Sequence, residues 1–543
     1  MSAPWTLAER AAALAAAERD GCELLVIGGG ITGAGVARDA ALRGLSTLLI
    51  ERSDFAAGTS SQTSKMIHGG LRYLREGQLG VTRQSCRERD LLARLNPNLL
   101  RPLPFLLCAF ERGRPPWQVR AGLWLYRALS GFEGEFSMLA PAEVARYCRD
   151  LDTRGLRAAG LYVDQQVDDA RLVLETIKDA RRAGAAAVSH AELIGFELDP
   201  AGRLRAARVR DRLRGSEHVL RAQHCVNAAG PSVDRVRRLA GMQPAAELRP
   251  AKGVHAVIAR SRVHADAAVA LQAEDGRDMF LCPFGDVHLI GTTDTFSDEI
   301  DAPVVTRADL AYVLAAANRA FPRAGLTAAD VIGVYAGVRP LVADAQAETP
   351  PSSVSREHRI TQDDSGLLSV AGGKLTTYRA MAEQIVDRVV AALPRARANA
   401  LAPCTTAARP LRDDAFERAT LARELTQRFG VAAAVRERLI EAWGGAAPAL
   451  LAASPVEQRV PIAGSRYLRA EIAWAIRHEC AASLCDVLER RLRVAAMVPG
   501  HGLPELAELA AVAAEAAGWS DARTQAEIDG YRAAVERRYR VQP

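Results

Sequence analysis

The stretch ELLVIGGGITGAGVARDAALRGLSTLLIERSD, residues 23–54, limits the possible folds more than any other. Glu23 to Ile27 reads as a short buried strand, Gly33 to Arg43 as a helix and Leu45 to Ile50 as a second strand ending in Glu51. Gly28, Gly30 and Gly33 set G-x-G-x-x-G at the strand-to-helix turn. Backbone N–H groups and the positive end of a helix dipole meet a pyrophosphate there, and an acid ending the next strand takes ribose hydroxyls. The glycines alone are weak evidence, but strand, turn, helix, strand and acid in order predict a dinucleotide-binding βαβ unit.

Two later segments favour a flavin over a nicotinamide. GTSSQTSK, residues 58–65, follows the second strand with hydroxyls suited to a ribityl chain or pyrophosphate, from Thr59, Ser60, Ser61 and Ser64. Much further on, AGGKLTTYRAMAEQIVDRVV sets two glycines and Lys374 at the start of a predicted helix. A helix dipole and an ammonium there stabilise negative charge on the N1/C2 edge of a reduced flavin, a need that nicotinamide lacks. In VNAAGPSVDRV, Gly230 follows small residues that let backbone approach the cofactor.

Lysine usage sharpens the search. The chain holds 70 lysines and arginines, yet only Lys65, Lys178, Lys252 and Lys374 are lysine. Where arginine is otherwise universal, a surviving compact ammonium points to a place that a planar guanidinium does not fit. Lys178, in a predicted helix with an outward-facing setting, is the exception. The stretch SKMIHGGLRYL, residues 64–74, packs Lys65, His68 and Arg72 around a glycine pair and reads as an anion-binding segment.

At 543 residues, several domains are expected. The N-terminal residues 1–20 read as a short amphipathic helix without the apolar core of a secretory signal, so a cytoplasmic location is expected. Residues 21–75, 155–240 and 335–393 are assigned to the cofactor domain and 76–154 and 241–334 to a capping domain. A Pro/Ala/Arg-rich linker, 394–411, precedes a helix-patterned region, 412–543. Nine scattered cysteines without a Cys-x-x-Cys argue against disulfides, zinc or iron–sulfur clusters, and no metal site is expected. No apolar run is long enough to span a bilayer. A net charge of +6 with no basic stripe interleaved with aromatics gives no case for nucleic acid.

Together, VIGGGITGAG, TSSQTSKMIHGGLRYL, VDDARLVL, GVRPL and GGKLTTYR resemble the FAD-dependent glycerol-3-phosphate dehydrogenases, in order over nearly the whole chain. The resemblance implies an α/β fold: a glutathione-reductase-like, Rossmann-type FAD domain interleaved with a substrate-capping β-sheet, followed by an all-helical C-terminal domain. It implies oxidation of sn-glycerol 3-phosphate to dihydroxyacetone phosphate, with electrons passed to a membrane quinone, and leaves a homodimer open. By the same resemblance Arg72, Tyr73, Arg339, Arg356 and Lys374 bind substrate, and their cations suit a dianionic phosphate. His255 is expected as the base, with His68 as alternative, and Arg339 and Lys374 beside the chemistry. FAD is expected against Gly28, Gly30, Gly33, Glu51, Thr59, Ser60, Ser61, Ser64, Lys65, His68, Gly230, Gly373, Lys374 and Leu375; Lys252 is left to orient backbone or flavin.

Three readings compete on the remaining points. An oxidase that passes electrons to O2 and releases peroxide would share the same substrate site. A non-catalytic FAD-binding component would have no need of the full set Arg72, His255, Arg339 and Lys374. PPWQVRAGLWLYRALSGF, residues 115–132, mixes tryptophans with arginines, as in an interfacial amphipathic segment or a helix packed in the cap. The resemblance favours peripheral contact with an anionic membrane surface, at the inner face of the cell membrane.

Overall fold

The computed structural model describes residues 4–75, 77–242, 248–342, 357–412 and 416–543, the side chains of Arg72 and Arg75 excepted. Two large sheets organise it. In the first, Leu368–Ala371, Glu217–Asn227, Cys22–Ile27, Thr47–Ile50 and Ala186–Val188 run parallel in that order, and Arg359–Gln362 closes one edge antiparallel. Leu24, Leu25 and Val26 are wholly buried. A strand covered on both faces reads as a continuous apolar run rather than an alternation, which is the pattern of this segment.

The helices Ile31–Arg43, Asp169–Arg182 and Tyr378–Ala391 cover one face, with Val36, Val173 and Ile385 against Leu24, Val26 and Leu49. The other face packs on the N-terminal helix Leu7–Asp20 and the hairpin of Ala191–Leu198 with Leu204–Asp211. A capping box starts that N-terminal helix: Glu9 N–H donates to Thr6 Oγ1 and Thr6 N–H to Glu9 Oε2. Buried Arg10 then grips Asp211 through both terminal nitrogens, at 2.8 and 2.9 Å.

The second sheet runs Thr295–Phe296, Ala251–Ala259, Val287–Gly291, Asp278–Phe284, Ala268–Gln272, Arg101–Phe110, Leu156–Gln166 and Met66–Ile67. Val331–Arg339 pairs antiparallel with Ala251–Ala259, setting Tyr335 opposite His255 and Arg339 opposite Ala251. This sheet departs from the boundaries drawn from sequence. Leu156–Gln166, assigned to the cofactor domain, pairs along its length with Arg101–Phe110, and Val331–Arg339 crosses the boundary placed at 335. Period-two patterning marks a strand without saying which sheet completes its hydrogen bonds.

Helices between Arg418 and Arg538 form the C-terminal region and bury Leu439, Leu484 and Val494 against Val257, Leu289 and Tyr335 of the second sheet. The segment 394–411, read as a linker, is held to the first sheet instead. It contains a short helix, Arg395–Asn399, whose Arg397 forks onto Glu23 at 2.6 and 2.8 Å, and Leu411 N–H donates to Asn96 Oδ1.

Candidate active site

The glycine turn can adopt only one shape. Gly28 has φ +110°, and a Cβ there would lie 2.6 Å from the Ala228 carbonyl oxygen. One on Gly33 would lie 1.9 Å from the Gly28 oxygen, so the helix meets the strand only without a side chain. Glu51 is fixed by Gly29 N–H on Oε2 at 2.7 Å and Ser53 N–H on Oε1 at 2.9 Å. Burial raises its carboxyl above the ordinary range, and these two amide donors work against the rise. Ser60 Oγ accepts from Ile31 N–H, the first amide of the helix, and Thr59 Oγ1 donates to Val338 O.

Ile31, Glu51, Thr59 and Ser60 line a cavity of about 590 Å³ with Gly28, Gly30, Gly230, Gly373 and Leu375, while Gly33, expected against the cofactor, lies outside the lining. An acid at the ribose end, small residues against the sheet and a helix N-terminus whose N-cap, Gly30, has no side chain match the chemistry of a dinucleotide. A second cavity of about 190 Å³ shares the wall of Thr59, Gln62, Gly337 and Gly373–Leu375, Lys374 included, and its lining adds Ser64, His68, Tyr73, His255 and Arg339.

In this smaller cavity the chemistry-bearing groups converge from four segments. The His255 ring, 2% exposed, stacks on Tyr335 with centroids 4.8 Å apart, and its Nε2 shares a 2.8 Å hydrogen bond with Ser64 Oγ. Nδ1 is buried without a partner. Burial, followed by the positive charges of Arg339 and Lys65, holds its pKa well below the usual histidine range, so the imidazole is neutral near pH 7. Arg339, ending its strand, is held by Thr293 O and Asp294 Oδ1 on Nη1, both at 3.1 Å, and by Thr292 Oγ1 on Nη2 at 2.7 Å. Lys374 Nζ sits 3.5 Å from the centroid of the Tyr73 ring and donates to Ser85 Oγ. His68 is clamped through its backbone, its amide donating to Thr376 Oγ1 and its carbonyl accepting from it.

Several sequence expectations come out differently. The helix expected to begin at Lys374 begins at Tyr378: Gly372 and Gly373 hold φ of +78° and +97°, and a turn over 375–377 precedes it, with Thr377 as the N-cap. Lys374 therefore reaches the cavity from a turn. Lys65 lies outside both linings: it is 1% exposed, and its Nζ donates to Asp169 Oδ1 at 2.8 Å and to Ser61 O, between the rings of Phe284 and Tyr335. Ser61 is likewise turned into the protein. Lys252 is spent on Asp309 and Val304 O, and Lys178, read as outward-facing, joins buried Glu175 and Glu479. Arg72 belongs to the helix Leu71–Arg75, but its side chain and all of Arg356 lie outside the described residues.

Sequence reading missed Ser85, Thr292–Asp294, Thr376 and Tyr335. Thr376 stands inside GGKLTTYR, two residues from Lys374, and was passed over there; Ser85, Thr292–Asp294 and Tyr335 stand in no recognisable motif and reach the site through long-range pairing. Asp54, His190 and Asp486, the one grouping of metal-type ligands among the described residues, serves a different end: Arg490 bridges the two carboxylates and Arg491 joins Asp54.

The pattern of the FAD dependent oxidoreductase family matches residues 23–388, and that of the C-terminal domain of alpha-glycerophosphate oxidase matches residues 404–524. By class, then, the two cavities belong to a flavin-dependent oxidoreductase. The chain is 36% identical to glycerol-3-phosphate dehydrogenase 2 of Mycobacterium tuberculosis over 541 residues, covering 97% of this chain and 90% of the relative. It is 38% identical to the aerobic glycerol-3-phosphate dehydrogenase of Staphylococcus aureus over 392 residues, 71% and 70% of the two chains. The solved glycerol-3-phosphate dehydrogenase of Bacillus halodurans, complexed with FAD, superposes with a TM-score of 0.78 at 30% identity, over 98% of this chain and 97% of that one. The chain belongs to the FAD-dependent glycerol-3-phosphate dehydrogenase and oxidase family.

Proposed function

We propose that this protein oxidises sn-glycerol 3-phosphate to dihydroxyacetone phosphate and passes the electrons to a membrane quinone. The observation that carries this reading is the small cavity: Arg339 and Lys374 bring two cations, and Tyr73 and neutral His255 stand beside them, against the wall shared with the flavin-sized cavity. Two cations suit a phosphate dianion better than a single carboxylate.

Bound FAD would accept the hydride that leaves C2 of the substrate. His255, neutral and hydrogen-bonded to Ser64, takes the proton of the C2 hydroxyl, and Tyr335 stacked behind it fixes the ring plane. Arg339, pre-set by its hydrogen bonds to Thr292, Thr293 and Asp294, and Lys374 orient the phosphate, so the ordering cost falls on the folded protein rather than on the binding step. His68 remains the alternative base, since it lines the same cavity.

The helix Pro116–Leu129 supports a peripheral membrane role. Its inner face buries Val119, Leu123 and Tyr126 in the cap, while Trp117 and Trp124 are 71% and 57% exposed, with Phe132 beside Trp124. The inner face answers to a helix packed in the cap, and the exposed tryptophans are what supports the interfacial reading. No helix of the described residues is long and apolar enough to cross a membrane. The inner face of the cell membrane is where a quinone-linked enzyme of cytoplasmic substrate would sit.

The match of residues 404–524 to an oxidase C-terminal domain favours a second reading, in which O2 takes the electrons. Anaerobic addition of sn-glycerol 3-phosphate to the yellow protein tests the substrate: the flavin absorbance should bleach, and unphosphorylated glycerol should leave it unchanged. Reoxidation by a soluble quinone much faster than by air supports the quinone. Stoichiometric peroxide on aeration would support the oxidase.

A further inference from the structure

Behind the reaction site, where the second sheet and the start of the helix Asp169–Arg182 meet the C-terminal helices, lies a separate cavity of about 270 Å³. Its floor is buried Val167, Arg171, Ala442 and Tyr467, and its mouth carries Arg101, Arg466 and exposed Asp286. Arg438 completes a set of four guanidiniums drawn from separate parts of the chain.

The internal pairing of these charges is incomplete. Arg171 spends Nη1 on Glu479 and Glu175, Arg438 pairs with Glu471, Arg101 with Glu441, and the cavity's Asp168 with Arg493. Arg171 Nη2, on a side chain 3% exposed, is nevertheless buried without an acceptor, and so is the Nε atom of half-buried Arg466. Among the described residues no carboxylate lies within ion-pair distance of Arg466, whose terminal nitrogen makes one long bond, 3.4 Å, to Ala434 O. Burial lowers the Arg101 pKa; Glu441 offsets part of this, and Arg466 adds to it. A buried N–H donor without an acceptor is costly, and a guanidinium prefers oxyanions.

We propose that this cavity is a second anion site, distinct from the reaction cavity, which binds a small phosphate or phosphate monoester. A group with three terminal oxygens can accept from donors on several sides at once, where a carboxylate serves two. Three side chains in line separate its occupant from His255: Phe284 lines the cavity, Lys65 stands 5.9 Å from that ring and 5.4 Å from Tyr335, and Tyr335 stacks on His255.

Calorimetric titration of the FAD-loaded full chain with inorganic phosphate at low ionic strength tests the site. In Arg339→Ala, where the reaction cavity has lost an anion ligand, phosphate binding should persist. Adding Arg466→Gln should weaken that remaining binding at least tenfold, whereas Arg466→Gln alone should leave kcat/KM within twofold of the parent. Glu441→Gln, which releases Arg101, should tighten phosphate severalfold, a change that loss of folding cannot imitate. Loss of all binding in Arg339→Ala, insensitivity to both Arg466→Gln and Glu441→Gln, or acetate binding as tightly as phosphate would overturn the proposal.

Discussion

Substituting alanine for Gly253 tests the placement of Arg339 without changing any charge. Gly253 lies within the strand Ala251–Ala259, so its backbone accepts any residue, but its Cβ would lie 2.3 Å from Arg339 Nη2, 2.6 Å from Nη1 and 2.6 Å from Thr292 Oγ1. Relieving these contacts to an ordinary separation pushes the guanidinium by roughly 1 Å, and catalytic constellations typically lose on the order of a hundredfold for such a displacement. The shift breaks the Nη2 bond to Thr292 and loosens those to Thr293 O and Asp294. Losing one well-placed charge-assisted hydrogen bond to substrate costs about 1.5–3 kcal/mol, or roughly 10- to 150-fold in kcat/KM. Steady-state kinetics with an artificial electron acceptor should show that loss mainly as a raised KM, with the ratio of flavin to protein absorbance unchanged. Arg339→Ala should behave alike, and the double variant should be no worse than the poorer single one, since both act through one group. A KM within twofold of the parent would refute the placement, and loss of flavin would show that Arg339 supports the cofactor rather than the substrate.

Lys65→Met leaves Asp169 with Arg493 and Thr63 but removes a buried cation, so it should lower stability by about 3 kcal/mol, seen as a lower Tm, without reducing bound flavin. Trp117→Ser with Trp124→Ser should release the protein from anionic vesicles in a sedimentation assay while its Tm holds; unchanged sedimentation would end the membrane reading. Acid stability should follow the carboxylates of buried Glu175 and Asp486 and of half-buried Asp168. Burial works to raise each, but Arg412, Lys178 and Arg171 around Glu175, Arg493 and Lys65 around Asp168, and His190, Arg490 and Arg491 around Asp486 together outweigh it, so all three are held below the ordinary range. Groups with depressed folded pKa values contribute stability above their unfolded values of about 4, and that contribution drains as pH falls further. Tm should therefore vary little on their account from pH 7 to 5 and drop steeply below about pH 4; a main transition at pH 5 to 6 would contradict these pairings.

What the sequence determined by itself is local. A strand, a glycine turn, a helix and an acid within residues 23–51 specify their own backbone conformation and a dinucleotide site, because the contacts involved, such as Gly33 against Gly28 O and Gly29 N–H on Glu51, span few residues. Lys374 was legible for the same reason, since two left-handed glycines precede it and aim its turn at the cavity. Long-range pairing decided the rest. Lys65 and Lys252 sit in stretches as rich in small and polar residues as that of Lys374, yet Asp169 and Asp309, each over fifty residues away, draw them out of the site. Gly253 looks like any strand glycine until Val331–Arg339 pairs beside it and sets Arg339 against it. A side chain's partner across a sheet is fixed by register, and neighbours in sequence carry no record of it.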